Sequence, residues 1–218
     1  LFDRAHAPEG AAPYCLGGCK AKESCVFDAE KIYITDPRTG VRHGNTWMAG
    51  VACGTDPTEE KTYAALRNGP YGRCVYQCDN DVVDHQQTNL LFADGATMSF
   101  TMCAFTENCY RYFKAMGTKG EIEADMRSNE IHIRVFGEAE EVVDVAKLAD
   151  VLKGHGGGDS GIVQDFLEML IEERGATART TTLENSLESH FIALAAEQSR
   201  LEGGRVIDMA AFRGGKTE

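Results

Sequence analysis

Three cysteines are clustered near the N-terminus, and a soft metal ion requires clustered ligands of this type. Cys15, Cys19 and Cys25 are spaced as C-x3-C-x5-C in a loop rich in Gly and Pro. Thiolates are preferred ligands of Zn²⁺ and of iron–sulfur clusters, and a closed site usually takes four ligands. Cys53 or His43 would have to complete the set from a distance. The spacing leaves two interpretations open, a Zn or Fe–S site and free thiols in a packed loop.

A second candidate is the glycine-rich loop of GHGGGDSGIVQDFLEML, residues 154–170. Three of its glycines, from Gly156 to Gly161, match the G-x-G-x-x-G pattern. A dinucleotide fingerprint also needs a strand before the glycines and an acidic residue about 20 positions later, and the sequence offers neither. Two interpretations remain: a turn that leads into a core helix, and a helix N-terminus that holds a polar ligand beside His155 and Asp159.

A third candidate is the acidic run CDNDVVDHQ, which contains Asp79, Asp81, Asp84 and His85. Carboxylates and an imidazole at this density could bind a metal ion or perform acid–base chemistry. Such a run is more often the start of a strand with a solvated face. The sequence does not decide between this interpretation and a metal-binding or acid–base cluster.

The surrounding elements must position these groups. Residues 1–55 are irregular, and KIYIT within them has the pattern of a short strand. DPTEEKTYAALRNGP predicts a helix over residues 57–68, with Asp56 as its cap and Gly-Pro as its stop. Cys74 and Cys78 have the even spacing of residues on one face of a strand.

From about residue 73 to residue 145 the apolar residues alternate with polar ones, as in ATMSFTMCAF and EIHIRVF. The breaks between these runs are short, so five or six strands should form an antiparallel meander. Two helices follow, capped by Asp159 and by a Thr181–Glu184 capping box, and RVIDM reads as a last short strand. Strands followed by helices predict an α+β fold: an open, mostly antiparallel β-sheet with helices packed on one face.

Composition limits the classes of partner. The chain has 34 acidic and 22 basic residues and a net charge of −12. That balance argues against nucleic acid and anionic membranes, because no basic surplus exists to neutralise phosphates. We expect no bilayer span, since no apolar run is long enough. Eight cysteines without a secretion signal predict free thiols and a cytoplasmic location.

Two long stretches resemble a known family. DVVDHQQTNLLFADGATMSFTMCAFTENCYRYFKAMGTKGEIEAD is similar to the C-terminal domain of the Gfo/Idh/MocA oxidoreductases. HGGGDSGIVQDFLEML and SLESHFIALAAEQSRLEGGRVIDM resemble later parts of that domain. CLGGCKAKESCVFDAEKIY looks like a cysteine-bearing insertion of one branch. The resemblance covers essentially the whole chain, with a Cys/Gly-rich region over residues 1–55 attached to the domain over residues 56–218.

The resemblance implies a role inside a larger enzyme. In that family an N-terminal Rossmann domain binds NAD or NADP, and a Glu-Lys-Pro lysine assists proton transfer. The C-terminal domain closes the sugar or polyol site and often forms a homodimer or tetramer through its sheet. The present sequence contains no Glu-Lys-Pro. We therefore expect a fragment without catalytic or cofactor-binding residues, whose partners are its own Rossmann domain and a sugar-like substrate.

Four residues are candidate substrate contacts by resemblance. Relatives place a substrate-facing tyrosine where Tyr110 lies, which we assign to the GTKG hairpin, and His155 and Asp159 belong to the glycine-rich loop. Arg111 is the weakest of the four, because it should point to the opposite face of the strand that carries Tyr110. Two other classes stay open: a non-catalytic dimerising scaffold, and a metal-binding module organised by Cys15, Cys19 and Cys25.

Overall fold

The computed structural model describes residues 2–148, 158–173, 175–176 and 180–214. The chain forms two compact units, Leu1–Phe105 and Thr106–Glu218. The division between the two units lies at 105/106. Residues on both sides of position 55 share one small core, in which Cys15, Ala29 and Ile34 pack with Leu66.

The first unit contains the helices α1 (Thr46–Cys53) and α2 (Glu59–Asn68). The predicted helix is confirmed, but its cap is Thr58, whose side chain accepts a hydrogen bond from the Lys61 N–H at 3.2 Å. Asp56 lies two residues earlier with a positive φ of 50°, outside the geometry that an N-cap adopts.

Two strand predictions in this unit are wrong. KIYIT forms a π-helix over Lys31–Thr35, because the Asp28 carboxylate accepts from the Lys31 N–H at 3.0 Å and starts a helical turn that buries Ile34. Cys74 and Cys78 do not share a strand either. A 3-10 turn over Val75–Gln77 separates them, and the Cys78 thiol contacts the Cys74 carbonyl oxygen at 3.3 Å.

The first unit ends in a β-hairpin of β1 (His85–Leu91) and β2 (Thr97–Cys103). Gly95 has a φ of 88° in the connecting turn, a conformation that glycine adopts without strain. All of β2 except Met102 is exposed. The face that carries Thr97, Thr101 and Cys103 is therefore open, whereas Gln86, Thr88 and Leu90 of β1 are half-buried on the other face.

The second unit is built on a meander of four antiparallel strands in chain order: β3 (Tyr112–Met116), β4 (Gly120–Asp125), β5 (Glu130–Val135) and β6 (Glu141–Asp144). The turn between β3 and β4 requires glycine at position 120, since a Cβ there would lie 2.2 Å from the Arg134 carbonyl oxygen. The register places polar and apolar side chains on opposite faces. The apolar face carries Phe113, Ala115, Ile122, Ala124, Ile131 and Ile133.

The helices of the second unit are α3 (Val145–Leu148), α4 (Gly158–Ile171), α5 (Leu183–Leu201) and α6 (Met209–Arg213). RVIDM is not a strand. Asp208 caps α6 by accepting from the Ala211 N–H at 2.8 Å, so the chain enters a helix where the sequence suggested pairing.

The apolar stripes of these helices remain accessible. On α4, Ile162 is 65% exposed, Phe166 58% and Leu170 60%. On α5, Leu187 and Leu194 are exposed, and Phe191 packs edge-on against Phe212 of α6 with ring centroids 6.4 Å apart. The expected amphipathic pattern is present, but these side chains do not form the buried core that it predicted.

The α+β class is confirmed, with six antiparallel strands in chain order. They form two sheets of two and four strands rather than one meander. No helix in the described part of the chain is long and apolar enough to cross a membrane.

Candidate functional site

Tyr110 lies at one corner of the four-stranded sheet, two residues before β3 begins. It is therefore at the opposite end of that strand from the GTKG turn, and the assignment to that hairpin is wrong. The ring is 40% exposed, and the Arg127 guanidinium stacks over it at 4.3 Å from the ring centroid. A cation above a ring face is attracted by the ring quadrupole, which holds the two side chains together.

The Arg127 guanidinium is itself fixed by Asp125. Its Nε lies 2.9 and 3.0 Å from the two carboxylate oxygens, and Nη2 also bonds to Oδ2. The hydrogen bonds from Arg127 lower the pKa of Asp125, which keeps the carboxylate ionised at neutral pH. Tyr110, Arg127 and Asp125 thus form a polar corner at the end of β3 and β4.

Arg111 does not join this corner. Its carbonyl oxygen accepts from the Met126 N–H at 3.1 Å, which extends the pairing of β3 and β4 by one residue. Its guanidinium Nη1 lies 3.8 Å from the Met126 sulfur. Both Tyr110 and Arg111 precede β3, so their predicted placement on opposite faces of that strand stays a prediction.

The polar corner continues into a charged face of the sheet, formed by Lys114, Glu121, Glu123, His132, Arg134 and Glu140. The Arg134 Nη1 lies 2.9 Å from Glu121 and 3.0 Å from Glu123, and its Nε lies 2.9 Å from Glu140. The Glu121 carboxylate also pairs with Lys114 at 3.1 Å. Because these charged side chains pair with one another, the face is polar and its side chains have defined partners.

The glycine-rich loop is described only from Gly158 onward, and His155 lies outside the described residues. Asp159 is in the first turn of α4, not before it, because the helix begins at Gly158. A carboxylate there still interacts favourably with the helix dipole. Asp159 also borders a shallow surface recess together with Val163 and Leu167.

The cysteine loop is organised by a lysine. The Lys31 ammonium donates to the carbonyl oxygens of Lys22, Glu23 and Cys25 at 2.9, 2.7 and 3.2 Å. These three hydrogen bonds tie the loop between Cys19 and Cys25 to Lys31.

The thiols themselves do not form a metal centre in the structure. Across the described residues, no three His, Cys, Asp or Glu side chains come together as metal ligands. Cys15 is buried, and burial raises the pKa of its thiol. Metal binding by this thiol would therefore require the loss of its proton. Beside it, Oδ2 of the buried Asp28 finds no hydrogen-bond partner among the described residues.

The acidic run is divided into local pairs. Asp79 bonds to Arg73 at 2.8 Å, and Asp84 lies 2.5 Å from Nδ1 of His85. Asp84 also accepts from the Phe2 N–H at 3.3 Å. These contacts fix the start of β1, in line with the interpretation of the run as the beginning of a strand.

NAD or NADP would require a β-α-β unit with a glycine loop at the helix N-terminus. Both sheets are antiparallel throughout, and the described residues form no such unit.

The sequence did not indicate Arg127 or Asp125 as site residues. Arg127 is 17 positions from Tyr110, and only the β3–β4 register, which pairs Tyr112 with Asp125, brings them together. The turn sequence after β4 predicts the end of a strand, but it does not indicate that Arg127 will contact Tyr110. No signal in the sequence alone could have joined the two.

A comparison with known families agrees with the α+β fold. Residues 51–208 match the family described as "Oxidoreductase family, C-terminal alpha/beta domain", GFO_IDH_MocA_C. The chain belongs to this family of oxidoreductase C-terminal domains. No curated protein and no solved structure shows significant similarity to it.

Proposed function

We propose that this chain is the substrate-binding and assembly domain of an NAD(P)-dependent dehydrogenase or reductase that acts on a sugar, a polyol or a related hydroxy or keto compound. The observation that carries the proposal is the family match over residues 51–208 in an antiparallel α+β chain. Hydride transfer would require the dinucleotide from a Rossmann domain of the parent enzyme, together with that domain's proton-transfer groups.

Tyr110 is the proposed substrate contact that has the best structural support. Its ring is partly exposed and held from one side, and a ring with a hydroxyl at its tip can meet both the C–H groups and the hydroxyls of a sugar. Asp159, in the first turn of α4, remains a proposed contact, and so does His155, which lies outside the described residues. Arg111 is the least supported, because it does not join the polar corner.

Assembly is the second part of the proposal. Exposed apolar side chains on the sheet and on α4 support a homodimer or tetramer. We also propose a cytoplasmic location, which is supported by the eight free thiols. A scaffold role without sugar binding would use the same exposed surfaces. The following experiment distinguishes this alternative from the substrate-binding role.

The test uses the purified 218-residue chain. Saturation-transfer NMR with a panel of glucose, glucitol, inositol and glucuronate should show contact with at least one compound at millimolar concentration. Calorimetric titration with NADH and NADPH should show no binding, because the dinucleotide site belongs to the parent's Rossmann domain. Micromolar binding of NADH to this chain would contradict the assignment. A chain that self-associates but contacts none of the sugars would favour the scaffold.

A further inference from the structure

We propose that Arg127, held by Asp125, is a positioning residue that fixes the Tyr110 ring so that one of its faces stacks on a sugar ring. The inference rests on the proposed function, since it takes Tyr110 to be a substrate contact. It adds the residue that orients this contact and the part of the substrate that meets it, which is the C–H face of a ring.

The geometry of the corner carries the first step. The guanidinium carbon lies 4.3 Å from the Tyr110 ring centroid, so one face of the ring is covered. The ring nevertheless remains 40% exposed. A cyclic sugar has C–H groups on its ring face and hydroxyls around its rim, which matches an uncovered aromatic face with a phenolic hydroxyl at one end.

The second step is that Arg127 has one well-defined position. The Arg127 N–H donates to the Asp125 carboxylate at 2.8 Å, and its guanidinium returns to the same carboxylate through Nε and Nη2. A planar guanidinium held by a carboxylate in this way loses little further freedom when a ligand arrives.

The third step is that the turn beneath the pair is fixed. Asn129 has a φ of 58°, its N–H donates to the Asp125 carbonyl oxygen at 3.0 Å, and its own carbonyl oxygen accepts from Val145 at 2.8 Å. A residue kept in the left-handed region by bonds on both sides defines where the turn can lie. The ring orientation is therefore set before substrate binds.

A purely local role for Arg127 predicts different results. If the guanidinium only stabilised its own turn, its loss would change stability and leave sugar contact unaltered. If it positions Tyr110, its loss should weaken sugar contact with little effect on stability, because the Arg127 side chain is 56% exposed.

The experiment measures the affinity for the best sugar of the panel, the ring resonances of Tyr110 and the unfolding temperature. Arg127→Gln should weaken affinity roughly two- to fivefold, the size expected of one exposed cation–π contact. Tyr110→Ala should weaken it at least about tenfold, and Tyr110→Phe should retain the dependence on Arg127. Arg127→Lys should recover part of the loss, since it keeps the charge but not the planar fork.

Arg200→Gln is the matched control, because Arg200 is also a surface arginine paired with a carboxylate, that of Glu197 on α5. It should leave affinity and the Tyr110 resonances unchanged. Wild-type affinity in Arg127→Gln would overturn the inference and leave the proposed function in place. A wild-type chain that contacts none of the sugars would overturn both.

Discussion

Individual cysteines differ in their exposure, and this difference decides their reactivity. Cys15 and Cys74 are 8% and 7% exposed, whereas Cys103 and Cys109 are at the surface. Burial raises the pKa of the Cys15 thiol, which lowers the fraction of reactive thiolate at neutral pH. The cysteine loop therefore contains one buried thiol, Cys15, and two of intermediate exposure, Cys19 and Cys25.

We predict that iodoacetamide labels Cys103 and Cys109 first in the native chain. Cys15 and Cys74 should react at least about tenfold more slowly, because the reagent reaches them only when the core opens. Peptide mass spectrometry at successive times measures the four rates, and the unfolded chain in denaturant serves as the control in which the rates converge. If Cys15 were labelled as fast as Cys103 in the native chain, this result would contradict the burial of Cys15 in the core.

At the scale of single elements, α5 offers a direct test of its start. The sequence favours Thr181 as the cap, but in the structure the Thr182 hydroxyl accepts from the Asn185 N–H at 3.3 Å. Thr182→Ala should lower the free energy of unfolding by about 1 kcal/mol, the usual cost of a lost cap. Thr181→Ala, the matched control, should be close to neutral. Denaturant unfolding measures the free energy of unfolding of both variants. A larger loss in Thr181→Ala than in Thr182→Ala would place the start of α5 one residue earlier.

The charged face of the four-stranded sheet predicts a pH dependence. Hydrogen bonds from Lys114 and then from Arg134 lower the pKa of Glu121, and one from Arg134 lowers that of Glu123. Both folded-state values lie below the ordinary value of 4.5, so their contribution to stability is present above pH 4.5 and is lost as the pH falls through the folded values.

Arg134→Met should therefore lower the unfolding temperature at pH 7 and flatten its decline between about pH 5 and pH 3. Arg200→Met, which removes a surface pair with Glu197 on α5, is the control and should leave the slope closer to that of the wild type. Thermal unfolding followed by circular dichroism across this range gives both quantities. An unchanged slope in Arg134→Met would show that the lowered pKa values of Glu121 and Glu123 do not depend on Arg134.

At the scale of the whole molecule, the main feature is the apolar surface that is exposed among the described residues. Phe113 is 54% exposed on the apolar face of the sheet, and the stripe of α4 is similarly open. Patches of this kind on a soluble domain mark interfaces. The charged face of the same sheet is less suited to an apolar contact, because its ions are already paired with one another.

We predict that the chain self-associates through the apolar face of the sheet. Light scattering at high micromolar concentration should give a mass at least about twice that of the 23.8 kDa monomer. Phe113→Gln should weaken association, whereas Lys119→Gln, an exposed cation in the β3–β4 turn, should leave it unchanged. A monomer at that concentration would remove the assembly half of the proposed function.

Alternating residues and turn signals were enough to predict the α+β class, the antiparallel strands and the two long helices. Local periodicity determines these features, since each strand or helix shows its own pattern. The errors fall at short segments. KIYIT and RVIDM carry strand-like residues, but hydrogen bonds of Asp28 and the cap of Asp208 start helical turns there. A pattern of five residues cannot outweigh one side chain that satisfies the backbone.

The sequence by itself determined the family, the charge balance and the elements, because these depend on residue type and spacing. Only the tertiary structure decided which residues meet. It placed Arg127 over Tyr110, separated Arg111 from both, and held the cysteine loop with Lys31. The physical reason is that strand register and side-chain reach join residues far apart in the chain, and residue spacing carries no measure of either.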